Sequence, residues 1–300
     1  MIRTIAFHCV PSALAVSTLL AATGTAGAEL VYGVTQGQSL VTWQSGAPGT
    51  ILSGVAIMGL QPNETVHGID FRPATGELFA LGSFNRFYTI NPVSGQATQV
   101  GSPFALALNG SQFGFDFNPT VDRIRVVSDA RQNLRLNPIT GAVVDGDTVT
   151  PGLQPDGMLA YAAGDPGAAS GTPDIIHAAY TNSFAGATTT TLYVIDAGRD
   201  VLCMQNANVG TLTSVGFLGT DITDFGGFDI SGATGIAYLS IRDSQLGRST
   251  FWTVNLSTGA ASMVGEVGGG AIITAISVVP TPGTAAAGLL ALAFGARRRR

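Results

Sequence analysis

Three aspartates recur in one local pattern, in which a glycine, an apolar residue, the aspartate and a second apolar residue follow one another. The segments "GIDF", "GFDF" and "GFDI" place these carboxylates at Asp70, Asp116 and Asp229. In a β-strand each aspartate points away from its apolar neighbours, and a buried carboxylate needs hydrogen-bond donors. We therefore expect all three to be structural, accepting hydrogen bonds from a neighbouring unit or from the following turn. A polar tunnel lined by these carboxylates is the alternative.

A second set of polar residues lies between the apolar runs and could supply ligands. Its members are Asn63, Glu64, Asn109, Gln112, Asp129, Arg131, Gln132, Asn133, Asp156, Asp221 and Asp224. Calcium takes about six to eight oxygen ligands, so Glu64, Asp156 and Asp224 are candidate ligands for a calcium ion. The alternative is that these residues are polar because loops are solvated.

Four arginines are concentrated in the segment "DRIRVVSDARQNLR", at positions 123, 125, 131 and 135. Guanidinium groups match the geometry of carboxylates and phosphates. The segment therefore indicates either an anionic ligand, such as an acidic glycan, or salt bridges within the protein. The candidate salt-bridge partners are Asp116, Asp122 and Asp129.

Familiar catalytic motifs are missing from the sequence. His67 and His177 accompany neither a nucleophile motif nor a second histidine at metal-ligand spacing, and no nucleophile elbow, phosphate loop or dinucleotide fingerprint occurs. This favours a binding or structural module over an enzyme. The rival hypothesis is a metal-dependent propeller hydrolase, such as a lactonase, that uses the loop carboxylates.

The aspartate pattern belongs to a longer repeat. Short apolar or alternating runs end in turns such as "PATG", "NPVSG", "NPITG" and "LSTG", which is typical of strands and hairpins. Equivalent positions of the repeat align at Asp70, Asp116, Ala163, Asp229 and Ser277. Most intervals are close to the period of β-propeller blades, and two loop-like insertions explain the longer one. We predict an all-β, five-bladed propeller of four-stranded antiparallel blades, with an open sandwich as the alternative.

The two ends of the repeat array complement each other. "ELVYGVTQGQSLVTW", from residue 29, aligns with "ELFALGSFNRFYTIN", from residue 77, and so begins at the second strand of a blade. "ITAISVV", at 273–279, is a first strand with nothing after it. Pairing the two would close the ring and remove two open sheet edges. In this arrangement the polar set defined above collects at one mouth of the central tunnel.

The sequence divides into three parts. Residues 1–28 have an early cation, an apolar stretch and the small-residue site "AGA", which predicts a secretory signal peptide. The propeller occupies 29–280. It holds nine arginines against nineteen acidic residues and a single cysteine, Cys203, which argues against nucleic acid and excludes an intramolecular disulfide. Residues 281–300 contain a short apolar run and four terminal arginines, with a marginal membrane anchor as one reading.

Two resemblances accompany these observations. "VPTPG", the apolar run and the arginine cluster resemble bacterial C-terminal sorting signals of the PEP-CTERM type, although Thr281 stands where the best-known version has glutamate. "GIDFRPATGELFAL" and "FGFDFNPTVDRIRVVSDARQNLRLNPITGAV" resemble the bacterial family catalogued as domain of unknown function 4394. The resemblance implies an exported repeat protein without an established activity. We expect a monomer in the periplasm, at the cell surface or outside the cell, with sorting machinery and an extracellular glycan or protein as partners and transient membrane contact through the tail.

Overall fold

The computed structural model describes residues 28–279, which form β-strands and two short 3-10 helices, Pro166–Ser170 and Gly268–Gly270. The predicted signal peptide, except its last residue, and the predicted sorting signal lie outside the described residues. The strands are β1 (Leu30–Thr35), β2 (Ser39–Gln44), β3 (Ser53–Ala56), β4 (Val66–Phe71), β5 (Leu78–Gly82), β6 (Arg86–Ile90), β7 (Ala97–Val100), β8 (Phe113–Asn118), β9 (Arg123–Ser128), β10 (Asn133–Leu136), β11 (Ala160–Tyr161), β12 (Ile175–Tyr180), β13 (Leu192–Asp196), β14 (Val201–Gln205), β15 (Thr211–Phe217), β16 (Gly226–Ile230), β17 (Ala237–Asp243), β18 (Arg248–Val254), β19 (Ala261–Glu266) and β20 (Ile273–Val278).

These strands form five sheets arranged around an axis, which confirms the predicted five-bladed β-propeller. In ring order, blade I is β20-β1-β2-β3, blade II is β4 to β7, blade III is β8 to β10, blade IV is β12 to β15 with β11, and blade V is β16 to β19. The first strands β20, β4, β8, β12 and β16 pack against one another in that order and surround the axis. We call the face at which these first strands begin the mouth face.

Blade I joins the two ends of the propeller, as predicted. β20 pairs with β1 in antiparallel register, with Val278 opposite Val31 and Ser277 opposite Tyr32. The sheet then continues through β2 and β3. Because the last strand of the chain is the inner strand of the first blade, the ring closes by ordinary sheet hydrogen bonds.

Two blades depart from the four-stranded pattern. Blade III has three strands, and its outer position holds an isolated bridge between Leu136 and Val143. Blade IV carries the short strand β11, which pairs in parallel with β15 at the outer edge. The repeat position aligned at Ala163 is wrong, because the inner strand of blade IV is β12, and Ala163 follows β11 outside any strand. The insertions interrupt the regular spacing of the repeat, so the alignment assigned the wrong residue in this blade.

The apolar core is distributed over the five interfaces between neighbouring blades. One buried cluster lies between blades I and II, and each following pair of blades has its own, up to the cluster of Trp43, Phe251 and Ile276 between blades V and I. A blade is covered on both faces, so the second strand of blade II, Leu78–Gly82, is buried at every residue. This explains why such strands read as continuous apolar runs rather than as alternating ones.

Candidate functional site

The recurrent aspartates connect each blade to the next. Phe117 of blade III donates its backbone N–H to Asp70 Oδ2 of blade II at 2.8 Å. Tyr180 of blade IV donates to Asp116 Oδ1 at 3.0 Å. The hydrogen bonds expected of these carboxylates are therefore present, and they run between the inner strands of adjacent blades.

The same contact continues through blades V and I with one substitution. Val278 donates its N–H to Asp229 Oδ2 at 2.6 Å, and Phe71 donates to Ser277 Oγ at 3.2 Å. The equivalent position of blade IV is Ala179, which has no acceptor. The backbone N–H of Ile230, which would need that acceptor, instead donates to Oδ1 of the preceding residue, Asp229, at 2.6 Å. The true five positions are thus three aspartates, a serine and an alanine.

Asp70, Asp116 and Asp229 converge on the axis, and we call them the axial cluster. One oxygen from each lies within 4.8 Å of the others, an arrangement that could hold a cation or share protons. Burial, followed by the neighbouring carboxylates, raises the pKa of Asp70 and Asp116 well above the usual range. Burial also raises the pKa of Asp229 to about 6. The sequence pattern predicted the three residues and offered a tunnel lined by them as the alternative. Their approach to within 4.8 Å depends on the ring.

The glycine of the repeated pattern allows the inner strands to approach. A Cβ atom on Gly114 would lie 2.5 Å from the backbone nitrogen of Ala178, and one on Gly227 would lie 2.3 Å from that of Ile276. What remains beside the axis is a narrow channel with a volume of about 20 Å³, room for about one water molecule. Glycine and aspartate in the motif therefore both serve the contact between blades.

His177 is two residues before Ala179 and occupies the place that glycine has in the motif. It lines the axial channel and is buried, and its Nε2 has no hydrogen-bond partner within residues 28–279. Burial lowers its pKa to about 4, so the imidazole is neutral near pH 7. Blade IV has therefore lost both the glycine and the aspartate of the repeat and gained a histidine.

The three carboxylates expected to share a calcium ion are not brought together, and that expectation is corrected. Glu64 is buried and accepts hydrogen bonds from the Tyr88 hydroxyl at 2.5 Å and from the Phe84 N–H at 3.1 Å. Asp156 is buried against two arginines, and Asp224 is exposed. Within the described part of the chain, the carboxylates that lie close enough for a shared cation are those of the axial cluster. Glu64 already pairs with the Tyr88 hydroxyl, and Asp156 with Arg125 and Arg135. The residue types alone did not reveal these partners.

Several of the other predicted residues brace the loops of the mouth face. Asp129 accepts hydrogen bonds from the Ser111 N–H at 3.0 Å and from the Gln112 N–H at 3.3 Å. The side chain of Gln132 accepts from the Asn109 N–H at 2.9 Å. These contacts connect the β9–β10 hairpin to the segment before β8. These hydrogen bonds explain why Asp129 and Gln132 are polar without invoking a ligand.

The remaining predicted residues are dispersed. Arg131 donates to the Leu159 carbonyl at 2.7 Å, and buried Asn133 donates to the carbonyls of Gly157 and Ala207. Asn63 lies in a turn with a φ of 64°, and Asp221 is exposed. These four residues do not form one site.

A pocket of about 180 Å³ does open at the mouth, and we call it the mouth pocket. It includes two predicted residues, Gln112 and Asp224. Sequence reasoning missed its other polar members, which come from the starts of inner strands and from the β1–β2 hairpin. They are Gln36, Gln38, Thr65, His67, Ser111 and Thr274. An alternation of glutamines in "TQGQS" was the available signal.

Three of the four clustered arginines line a larger cleft of about 410 Å³ between blades III and IV, which we call the arginine cleft. Arg123 and Arg125 lie on β9, and Arg135 lies on β10. The cleft also contains the ends of β8 and β12, so it lies toward the face opposite the mouth. The fourth, Arg131, lies elsewhere. The sequence had instead placed the polar set of candidate ligands at the mouth face.

The family of the chain follows from its sequence profile. The profile described as "Domain of unknown function (DUF4394)" matches residues 39–277, which is most of the chain. The chain belongs to this family. No curated protein matches it.

Solved structures with a related arrangement are distant. Hydrazine synthase of Kuenenia stuttgartiensis is 9% identical with a TM-score of 0.39, covering 72% of this chain and 51% of its own. A protein from Lactobacillus plantarum is 16% identical with a TM-score of 0.37, covering 83% and 71%. A chain of a nidogen/laminin complex is 9% identical with a TM-score of 0.46, covering 85% and 100%. This chain thus spans about half of the first structure, and at these scores the neighbours support no argument about its function.

Among residues 28–279, no helix is long and apolar enough to cross a bilayer.

Proposed function

We propose that the protein is an exported, non-catalytic binding module whose mouth pocket takes a neutral, hydroxyl-rich ligand such as an extracellular glycan. The observation that carries the proposal is the lining of that pocket. Amide and hydroxyl groups dominate it, with one exposed carboxylate, Asp224, one imidazole, His67, and one phenyl ring, Phe225. Such groups donate to and accept from sugar hydroxyls, and an aromatic face packs against apolar sugar surface.

The surroundings of the mouth pocket support binding by a rigid surface. The Arg242 guanidinium lies 5.2 Å from the Phe225 ring centroid and restricts that ring. The Gln38 side chain accepts the Val66 N–H at 2.8 Å, and Asp129 holds the segment of Ser111. A ligand would therefore pay little conformational entropy for ordering these side chains.

Export and sorting rest on the two ends of the sequence. The apolar N-terminal stretch with "AGA", together with the C-terminal "PTPG" and arginine cluster, supports passage through a secretion pathway and contact with a sorting enzyme. Mass spectrometry of the protein recovered from outside the cytoplasm should show an N-terminus at Glu29 and no terminal arginines. Recovery with residues 297–300 intact would instead favour a retained anchor.

The metal-dependent hydrolase is not proposed. Its loop carboxylates do not converge at the mouth, and the axial cluster adjoins a channel of about 20 Å³. That space suits one water molecule or ion rather than an organic substrate.

Binding is tested by titrating neutral oligosaccharides from an array, followed by calorimetry on any that bind. Asp224→Asn and Gln112→Ala should each weaken binding by about tenfold, the loss of one or two hydrogen bonds. Val93→Ala, in an exposed turn of the opposite face, is the control and should leave the affinity unchanged. Binding that survives both pocket variants, or no binding across the array, contradicts the proposal.

A further inference from the structure

The arginine cleft is positively charged, although the chain as a whole has more acidic than basic residues. The whole chain carries 14 cationic and 19 acidic residues, yet the residues lining the cleft include Arg123, Arg125 and Arg135 and no carboxylate. Asp156 lies behind them and pairs with two, at 2.7 Å from Arg125 and 3.0 Å from Arg135. One carboxylate therefore faces three guanidinium groups, and the cleft keeps an excess of positive charge.

Asp122, at the rim, does not compensate for this excess. Its carboxylate forms a two-pronged pair with Arg72, with Nε and Nη2 of the arginine at 2.8 and 2.5 Å. Arg123 contacts Asp122 through the backbone carbonyl, at 2.8 Å. The acidic residue beside the cleft is thus committed to a different arginine.

Arg125 is the fixed part of the cleft. It is buried, and it donates to Asn133 Oδ1 at 2.6 Å, to Asp156 Oδ2 and to Asn208 Oδ1 at 2.9 Å. Asn208 belongs to the β14–β15 turn, so this one guanidinium connects blade III to blade IV. A charge held in this way keeps its position when a ligand arrives.

Arg123 and Arg135 have donor capacity left. The guanidinium of Arg123 contacts backbone carbonyls alone, those of Val121 and Asp122. Arg135 uses one terminal nitrogen, and its buried Nε has no hydrogen-bond partner in the part of the chain that the structure describes. Buried donors are normally paired, so Arg135 lacks a partner that an anion could supply, and Arg123 has guanidinium donors left beyond its two backbone contacts.

Blade III lacks a regular fourth strand. After the bridge at Val143 the chain leaves the sheet and returns through Asp156, whose N–H bonds to the Asn133 carbonyl at 3.0 Å. This irregular return places the Asp156 carboxylate on Arg125 and Arg135, on the side of blade III that faces blade IV.

We propose that the arginine cleft binds a small organic acid, with a carboxylate held by Arg123 and Arg135 and hydroxyl groups met by neighbouring amides. Guanidinium groups pair with carboxylates through parallel hydrogen bonds. The amides of Asn118 and Asn208 and the Tyr180 hydroxyl supply uncharged polar contacts, and Val121 and Val144 supply apolar ones. The volume of about 410 Å³ is within the range of small-molecule pockets. A hexuronic acid has this combination of groups.

The proposal is independent of the mouth pocket, since it concerns another face and another ligand class. Calorimetric titrations should use galacturonate and glucuronate, with galactose and inorganic phosphate as comparison probes. We expect a uronate to bind, galactose to bind at least about tenfold more weakly, and binding to fall as salt is raised.

Variants locate the binding. Arg123→Gln and Arg135→Gln should each reduce uronate affinity by about tenfold, while Arg248→Gln, which removes an exposed arginine of blade V paired with Glu266, should not. Arg123→Gln loses backbone contacts alone, so it tests the site even if Arg135→Gln unfolds the protein. The proposal is overturned if neither uronate binds, if galactose binds as well as uronate, if phosphate binds more tightly through the same arginines, or if Arg123→Gln has no effect.

Discussion

The axial cluster and the arginine cleft each collect three like charges, but the two differ in what surrounds the charges. At the axis, each carboxylate receives a backbone N–H, and the pKa values are raised, so protonation relieves the repulsion. In the cleft, an arginine cannot give up its proton, and one carboxylate, Asp156, is shared between two of the three. The first cluster can neutralise itself, whereas the second needs an anion.

The difference follows from position in the blade. The axial cluster lies on inner strands, where every backbone donor of the next blade is close and space is limited to a narrow channel. The arginine cleft lies between blades III and IV, on strands β9 and β10, where Arg123 and Arg135 keep hydrogen-bonding capacity. We infer that like charges in this fold are structural on the inner strands and available for ligands in the cleft between these two blades.

The largest expected effect comes from removing the counter-charge of the cleft. Asp156→Asn leaves Arg125 and Arg135 without a carboxylate in a buried setting, and breaking a buried pair in this way costs about 3–5 kcal/mol. Denaturant unfolding should show that loss near pH 7. The same change at the axis, Asp116→Asn, should cost far less or stabilise the protein. Equal losses at both positions would contradict the comparison.

The next effect is a dependence of stability on pH. The folded-state pKa of Asp229 is about 6 against an ordinary value of 3.8, so between these values the folded protein binds a proton that the unfolded chain releases. The free energy of unfolding should therefore fall as pH rises from about 4 to about 6, by on the order of 3 kcal/mol for this one group. The raised pKa values of Asp70 and Asp116 act in the same direction and add to the fall. Urea titrations of wild type and Asp116→Asn test it, and a slope that the variant does not reduce would be evidence against charge repulsion at the axis.

A smaller effect separates the hydrogen bond at the axis from its charge. Asp116→Ala leaves the Tyr180 N–H without its acceptor, which should cost about 1–3 kcal/mol more than Asp116→Asn, where an amide oxygen remains. The measurement is the difference between the two variants in unfolding free energy at pH 5, below the folded-state pKa of Asp229. If the two variants are equally stable, the carboxylate has no role in joining blades III and IV.

The smallest effect concerns the alanine that interrupts the ring of acceptors. Ala179→Asp would place a fourth carboxylate beside the axial cluster, and it should lower stability by about 1–2 kcal/mol more at pH 8 than at pH 5. Ala179→Ser, which imitates Ser277 of blade I, is the control and should show no such pH dependence. A fourth aspartate that stabilises the protein at pH 8 would indicate that the cluster holds a cation.

The sequence alone was sufficient for the fold and for the closure of the ring. Hairpins pair strands that are close in sequence, so each blade is encoded by a local segment. The recurrence of "GIDF" and its related segments at similar spacing therefore predicts the successive blades. The complementary ends predicted the pairing of β20 with β1. One end supplies an inner strand without a blade and the other a blade without an inner strand, so pairing them satisfies the hydrogen bonds of both. The period failed at Ala163, where the insertions of blade IV break the regular spacing, and the inner strand is β12 instead.

The sites depended on tertiary structure, because their members meet across blades. Arg125 and Asn208 are 83 positions apart and touch through a turn that the repeat assigns to backbone geometry alone. Glu64 and Asp156 were read as free ligands because nothing in their neighbouring letters shows the Tyr88 hydroxyl or the guanidinium groups that occupy them. A periodic pattern determines which residues face the axis, since it is set by local backbone geometry. Which polar side chains remain without a partner depends on how the blades pack, because their donors and acceptors come from distant parts of the chain.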